Sequence, residues 1–147
     1  MTVTAPALTD TIAQAVDLTK TYGSGEAEVR ALDGVSVGFT PGSFNAIMGP
    51  SGSGKSTLMH CLAGLDRPTS GQVYLGGDEI TGLRDRELTA VRRDRVGFVF
   101  QAFNLLPTLT AKENILLPLD LAGRRADPAV LDQIVDSLRL GDRLRHL

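Results

Sequence analysis

Gly49-Pro50-Ser51-Gly52-Ser53-Gly54-Lys55-Ser56 is the stretch that decides the reading of this chain. It follows the order G-x-x-x-x-G-K-[ST] without departure. An apolar run, Phe44–Met48, precedes it, and Lys55 to about Gly64 reads as a helix that Gly64 and Pro68 stop. The spacing has a physical cause. Phosphate oxygens need donors that no side chain crowds, and glycines let the backbone curl so that successive N–H groups point inward. The helix start adds unpaired N–H groups and the positive end of its dipole. Lys55 brings a cation to the β and γ phosphates, the Ser56 hydroxyl is placed to ligate Mg²⁺, and Thr57 adds a further hydroxyl. A glycine-rich turn with a capping lysine would have to place both Lys55 and Ser56 there idly. The stretch therefore predicts binding of a nucleoside triphosphate, ATP or GTP.

Outward from the loop the pattern is α/β. Residues 1 to about 14 are rich in threonine and alanine and read as a flexible extension. Ala15–Thr19 reads as a strand, with a glycine-containing turn at Tyr22–Gly25. Glu28–Leu32 and Val35–Phe39 read as two strands around a turn at Asp33–Gly34. Phe44–Met48 and Val96–Phe100 are apolar runs of the buried, parallel type, and Gln72–Leu75 is a short strand. Asp85–Arg93 reads as a helix, and the five arginines of Arg84–Arg95, mixed with Asp85, Glu87 and Asp94, predict a solvated face. Thr110–Leu117 reads as helical up to Pro118. Asp127–Leu140 reads as a helix capped by Asp127, with Pro128 at its first position and Gly141 at its end. With only two central parallel runs, the core sheet reads as incomplete.

Composition narrows the classes further. At 147 residues the chain is about one domain, since domains usually run ~100–200 residues. Lys+Arg number 15 and Asp+Glu 17, a net charge of −2, and the pI is about 5.6. A dedicated nucleic-acid binder usually shows a basic stripe and a pI above ~9, so no nucleic-acid partner is expected. Cys61 is the one cysteine, which excludes an internal disulfide and a cysteine-based zinc site. His60 and Cys61 read as packing or surface positions. The N-terminus lacks the basic and apolar regions of a signal peptide, and no run reaches the ~20 apolar residues that span a bilayer.

Ile47–Leu58 resembles the Walker A region of ABC transporter ATPases. Ala63–Gly71 resembles the segment that follows it there. Val96-Gly97-Phe98-Val99-Phe100-Gln101 resembles the strand ending in the Q-loop glutamine, and Phe103–Thr110 and Glu113-Asn114 continue the likeness. Gly25–Leu32, Phe103–Leu109 and Leu116–Leu119 are similar to the lipoprotein-releasing and macrolide-exporter type of these ATPases. The resemblance covers residues 15 to 147. It implies a P-loop NTPase fold of the ABC type, with an N-terminal antiparallel β part and the start of a helical subdomain.

The resemblance also implies roles. Gly49, Pro50, Ser51, Gly52, Ser53, Gly54, Lys55, Ser56 and Thr57 would hold the phosphates of ATP, with Lys55 and Gln101 acting in catalysis and Ser56 and Gln101 on Mg²⁺. Tyr22 sits where the family stacks an aromatic on adenine; by the residues alone it is equally an ordinary turn tyrosine, and Gln101 a solvated loop glutamine. Partners implied are a transmembrane permease subunit, contacted through the loop after Gln101, and a second ATP-binding domain in a head-to-tail homodimer. The implied location is cytoplasmic, peripheral on the inner face of the cell membrane, with export or lipoprotein release as the driven process.

In the family, the signature L-S-G-G-Q, the Walker B aspartate, its catalytic glutamate and the switch histidine follow a stretch like Asp142–Leu147. None of them occurs in the 147 residues, and His146 comes too early to be the switch. The expectation is that these residues alone bind ATP–Mg²⁺ weakly at best and hydrolyse it negligibly. Three other readings stay open. One is a different P-loop enzyme, although the guanine-reading N-K-x-D is absent. Another is a short non-catalytic nucleotide-binding or interaction module. The third is a family branch outside transport.

Overall fold

A computed structural model describes residues 10–147. The expected extension lies mostly outside those residues, but its last part does not extend: Ala13 and Gln14 already belong to a strand. The chain divides into two compact units, the first ending at Arg92 and the second spanning Arg93–Leu147.

The first unit is built on an antiparallel sheet of four strands: β1 (Ala13–Tyr22), β2 (Val29–Phe39), β3 (Ser70–Leu75) and β4 (Asp78–Glu79), in the order β2-β1-β3-β4. A short 3₁₀ turn, Gly25–Ala27, links β1 to β2. Helix α1 (Lys55–Leu62) joins the β2 side of the unit to β3, and α2 (Asp85–Arg95) follows β4. Ala15 and Leu18 are both fully buried, although three residues apart in one strand they should face opposite sides. A bulge resolves this. The pairing of β1 slips between Ala15↔Val37 and Leu18↔Val35, and Asp17 takes a positive φ of 47°. A Cβ on Gly71 would lie 2.4 Å from the Asp17 carbonyl oxygen, so the bulge requires glycine there.

Leu18, Ala15, Leu32 and Val73 from the sheet pack with Leu58, Cys61 and Leu62 from α1, and with Ile80 and Leu88. The helix residues fall at i, i+3 and i+4, one face of a helical turn. Helix α1 closes in a Schellman motif: Leu65 N–H donates to the His60 carbonyl (2.8 Å) and Gly64 N–H to that of Cys61 (3.0 Å). That confirms the stop at Gly64.

In the second unit, α3 (Ala111–Leu121) and α4 (Pro128–Ser137) are followed by a 3₁₀ turn at Gly141–Arg143. Helix α3 begins with a full capping box: Thr110 Oγ1 accepts from Glu113 N–H, and Glu113 Oε2 accepts from Thr110 N–H at 2.7 Å. The carbonyls of His146 and Leu144 accept from Ala111 and Lys112 N–H, so the chain's last turn satisfies the helix start. Asn114 straps the preceding loop. Its Oδ1 accepts from Leu106 N–H, and its Nδ2 donates to the Leu106 and Leu109 carbonyls.

Several expectations need correction. Asp33–Gly34 is no turn: β2 runs through it, with Gly34 at φ +60° inside the strand. Pro118 does not end α3, which continues to Leu121; a proline removes one N–H, and the remaining bonds carry the last turn. Helix α4 starts on Asp127 and Pro128 as expected but stops at Ser137, not Gly141. Arg139, at φ +53°, is the left-handed residue, and Leu140 N–H bonds the Val135 carbonyl to close the motif. Finally, Phe44–Met48 and Val96–Phe100 enter no ladder among the described residues. Phe44 is 99% exposed and Val99 94%, and of the first run only Ile47 packs on the core. Apolar, β-branched composition states a preference for a buried strand; a ladder also needs a neighbouring strand, and among the described residues none pairs with these runs.

Candidate functional site

The phosphate-type loop hangs between β2 and α1 in the first unit. Gly52 and Gly54 take φ of +79° and +83°, left-handed values that glycine adopts without steric cost. Gly54 is also wedged. A Cβ there would lie 2.3 Å from the Ala31 carbonyl oxygen and 3.1 Å from Leu32 Cδ2, so β2 passes too close for any side chain. Gly49 backs onto Ser53, whose Oγ would be 2.8 Å from an added Cβ. Together these contacts fix an open concavity lined by Ala31, Ser51, Gly52, Gly54, Lys55, Ser56 and Thr57.

Its electrostatics are one-signed. The first bond within α1 runs from Leu58 N–H to the Gly54 carbonyl, so the N–H groups of Lys55, Ser56 and Thr57 have no partner inside the helix. No acidic residue stands in the first turn. Lys55 Nζ donates to the Pro50 carbonyl at 2.7 Å, which folds its cation over the loop. The predicted loop residues Gly49 to Thr57 thus sit together, with Ser51, Gly52, Ser53 and Ser56 exposed and Gly54, Lys55 and Thr57 half-buried. Two glycines, a helix start and a lysine suit a polyphosphate and the cation that accompanies it.

Tyr22 stands at the end of β1, with the Thr57 side chain near enough to its phenol to pull that phenol's titration down in part. The phenol donates to Asp66 Oδ2 at 2.7 Å, and that hydrogen bond is the main cause holding the phenol above its ordinary range. Lys20 Nζ donates to Asp66 Oδ1 (2.7 Å) and to the Arg67 carbonyl (2.7 Å), and stands 4.7 Å from the Tyr22 ring centroid. Partial burial pushes the Asp66 carboxyl up, but the hydrogen bonds from Lys20 and Tyr22 outweigh it and hold it below its usual value. Neither Lys20 nor Asp66 is discernible as a site residue from sequence, because the Tyr22–Asp66 contact spans 44 positions. Ala31, which walls the loop, carries no chemical signal at all.

Gln101 lies in the second unit, exposed, just past the Val96–Phe100 run. Tyr74 lies in β3, as expected of a strand residue, opposite Gln14 of β1 and Glu79 of β4. Cys61 is buried on the core face of α1, and that burial pushes its thiol up to about 11, which fits a packing role.

A family model described as ABC transporter matches residues 32–147. Among curated proteins, the chain is 46% identical over 132 residues to the macrolide export ATP-binding/permease protein MacB of Marinobacter nauticus, covering 88% of this chain and 20% of that protein. It is 44% identical over 135 residues to the lipoprotein-releasing system ATP-binding protein LolD of Geobacter metallireducens, covering 90% and 60%. Among solved structures, the ATP-binding cassette MJ0796, in a dimeric post-hydrolysis state bound to ADP and Pi, aligns with a TM-score of 0.79 at 41% identity, covering 91% and 60%. The chain therefore spans less than two thirds of each of these proteins.

Proposed function

The chain belongs to the ABC transporter family as an ATP-binding domain, and from that premise we propose that it supplies the nucleotide-binding half of the catalytic apparatus of an ATPase driving a membrane partner. The observation that carries this is the loop itself: Gly54 forced to be glycine by Ala31, and Lys55 and the first turn of α1, whose N–H groups have no partner inside the helix, gathered at one concavity. In this reading the backbone of Gly49–Thr57 and Lys55 bind the phosphates of ATP. Tyr22 stacks on adenine, the Ser56 hydroxyl and the Gln101 amide oxygen are the oxygens this chain offers to Mg²⁺, and Gln101 orients the water. Mg²⁺ held there would supply neutralisation of the triphosphate's charge. The names of the relatives support export or lipoprotein release as the driven process, a permease as partner, and a second ATP-binding domain across a dimer. In this reading the activity lies on the cytoplasmic side, peripheral on the inner face of the cell membrane, where a permease would meet it. No helix among the described residues is long and apolar enough to cross a membrane.

The test is Mg²⁺-dependent ATP hydrolysis by the protein carrying this sequence, measured with Lys55→Ala and Gln101→Ala. The reading expects turnover in the parent, loss of binding and turnover with Lys55→Ala, and retained binding with reduced turnover with Gln101→Ala. Unchanged hydrolysis in Lys55→Ala would refute it.

A further inference from the structure

We propose that Asp66 and Lys20 are positioning residues for the adenine platform: they lock the Tyr22 ring in the orientation in which it receives the base. This rests on the reading of Tyr22 as the stacking surface. The ring stands 41% exposed at the end of a strand, where an unrestrained tyrosine samples several rotamers. Here both ends of its freedom are removed. The hydroxyl is tied to Asp66 Oδ2 at 2.7 Å, and one ring face is covered by the Lys20 ammonium 4.7 Å from the centroid. That ammonium is itself held by Asp66 Oδ1 and the Arg67 carbonyl, each at 2.7 Å. One carboxylate therefore fixes both the edge and the covered face, and the base would be received on the opposite face.

The anchor is firm. Asp66 follows directly on the Schellman turn that ends α1, its own N–H bonding the His60 carbonyl at 3.2 Å. The same helix begins at the phosphate loop. Lys20 and Tyr22 lie on β1, whose neighbour β2 walls that loop through Ala31. The device thus sets the distance between the base platform and the phosphate cradle through one helix and one strand pair. A ring held in place binds a base without first giving up its rotational freedom, which is the general advantage of preorganisation.

The experiment compares ATP with inorganic tripolyphosphate, each with Mg²⁺, by titration calorimetry on the full-length protein. The variants are Tyr22→Phe, Asp66→Ala, their double mutant, and Tyr22→Ala. Tyr22→Phe keeps the ring and removes only the tether, and thermal unfolding of each variant confirms folding. Losing the hydroxyl tether should weaken ATP about three- to tenfold in Tyr22→Phe, and Asp66→Ala, which also releases Lys20, should weaken it at least as much, both leaving tripolyphosphate unchanged. The double mutant should be no worse than the Asp66→Ala single variant, because the bond that Tyr22→Phe removes is already lost with the carboxylate. If Tyr22→Ala loses ATP affinity while Tyr22→Phe and Asp66→Ala match the parent, the positioning role is refuted and the platform stands. If Tyr22→Ala also matches the parent, the platform reading itself fails. Equal weakening of ATP and tripolyphosphate by Asp66→Ala would mark it as structural support of the loop and overturn the proposal.

Discussion

Replacing Gly54 by alanine probes the loop where geometry is tightest. Two separate costs are readable. At φ +83° a non-glycine residue pays about 1–2 kcal/mol for left-handed backbone. Its Cβ would also stand 2.3 Å from the Ala31 carbonyl oxygen, a backbone atom in a paired strand that cannot simply swing aside. Relieving such overpacking costs about 1–3 kcal/mol more. Gly52 serves as the control, since its φ of +79° is nearly the same but nothing lies within 4 Å of an added Cβ. Equilibrium urea unfolding should therefore show Gly52→Ala down by about 1–2 kcal/mol and Gly54→Ala by about 2–5 kcal/mol. Nucleotide titration should show the larger loss of affinity in Gly54→Ala, because the shift moves the start of α1 away from β2. Equal destabilisation of the two variants would refute the claim that β2 forces the loop's shape.

Lys55→Ala should leave unfolding nearly unchanged, since its one bond is to the exposed Pro50 carbonyl, yet weaken ATP at least about tenfold, as expected for a charge-assisted contact of ~1.5–3 kcal/mol; a fluorescent ATP analogue reads this directly. Asn114→Ala should cost about 1–3 kcal/mol and speed amide exchange at Leu106, because it deletes the strap across the loop before α3. Thr110→Ala should cost ~1 kcal/mol in the same unfolding assay through loss of the capping box. Asp66, held below its ordinary 3.8, takes up its proton at lower pH when folded than when unfolded. Its stabilising share is therefore present at neutral pH and lost as pH falls through the acid range, and Asp66→Asn should flatten that part of the stability–pH curve.

The phosphate loop was legible because its chemistry is local: eight consecutive residues carry the glycines, the lysine and the hydroxyl. Helix ends written in short signals, Gly64 after α1 and Asp127-Pro128 before α4, were legible for the same reason. The T-x-x-E of Thr110 and Glu113 was equally plain, yet its capping box became evident only in the fold. What depended on distant partners was not legible. Phe44–Met48 carries the composition of a buried strand, and among the described residues no strand pairs with it. The bulge at Asp17 lets Ala15 and Leu18 share a face, which strict alternation forbids, and Gly71 reveals its purpose only once β3 lies beside it. Arg139 ends α4 in a left-handed conformation that residue preference assigns to Gly141. The Lys20–Tyr22–Asp66 cluster joins residues 44 and 46 positions apart, so no spacing rule could find it.

A crystal structure of the protein grown with ATP and Mg²⁺ tests the central claim most directly. The account predicts the triphosphate in the concavity of Ser51–Thr57, with Lys55 Nζ transferred from the Pro50 carbonyl to phosphate oxygens and adenine against Tyr22. Nucleotide bound elsewhere on the chain, with Lys55 still on Pro50, would contradict it.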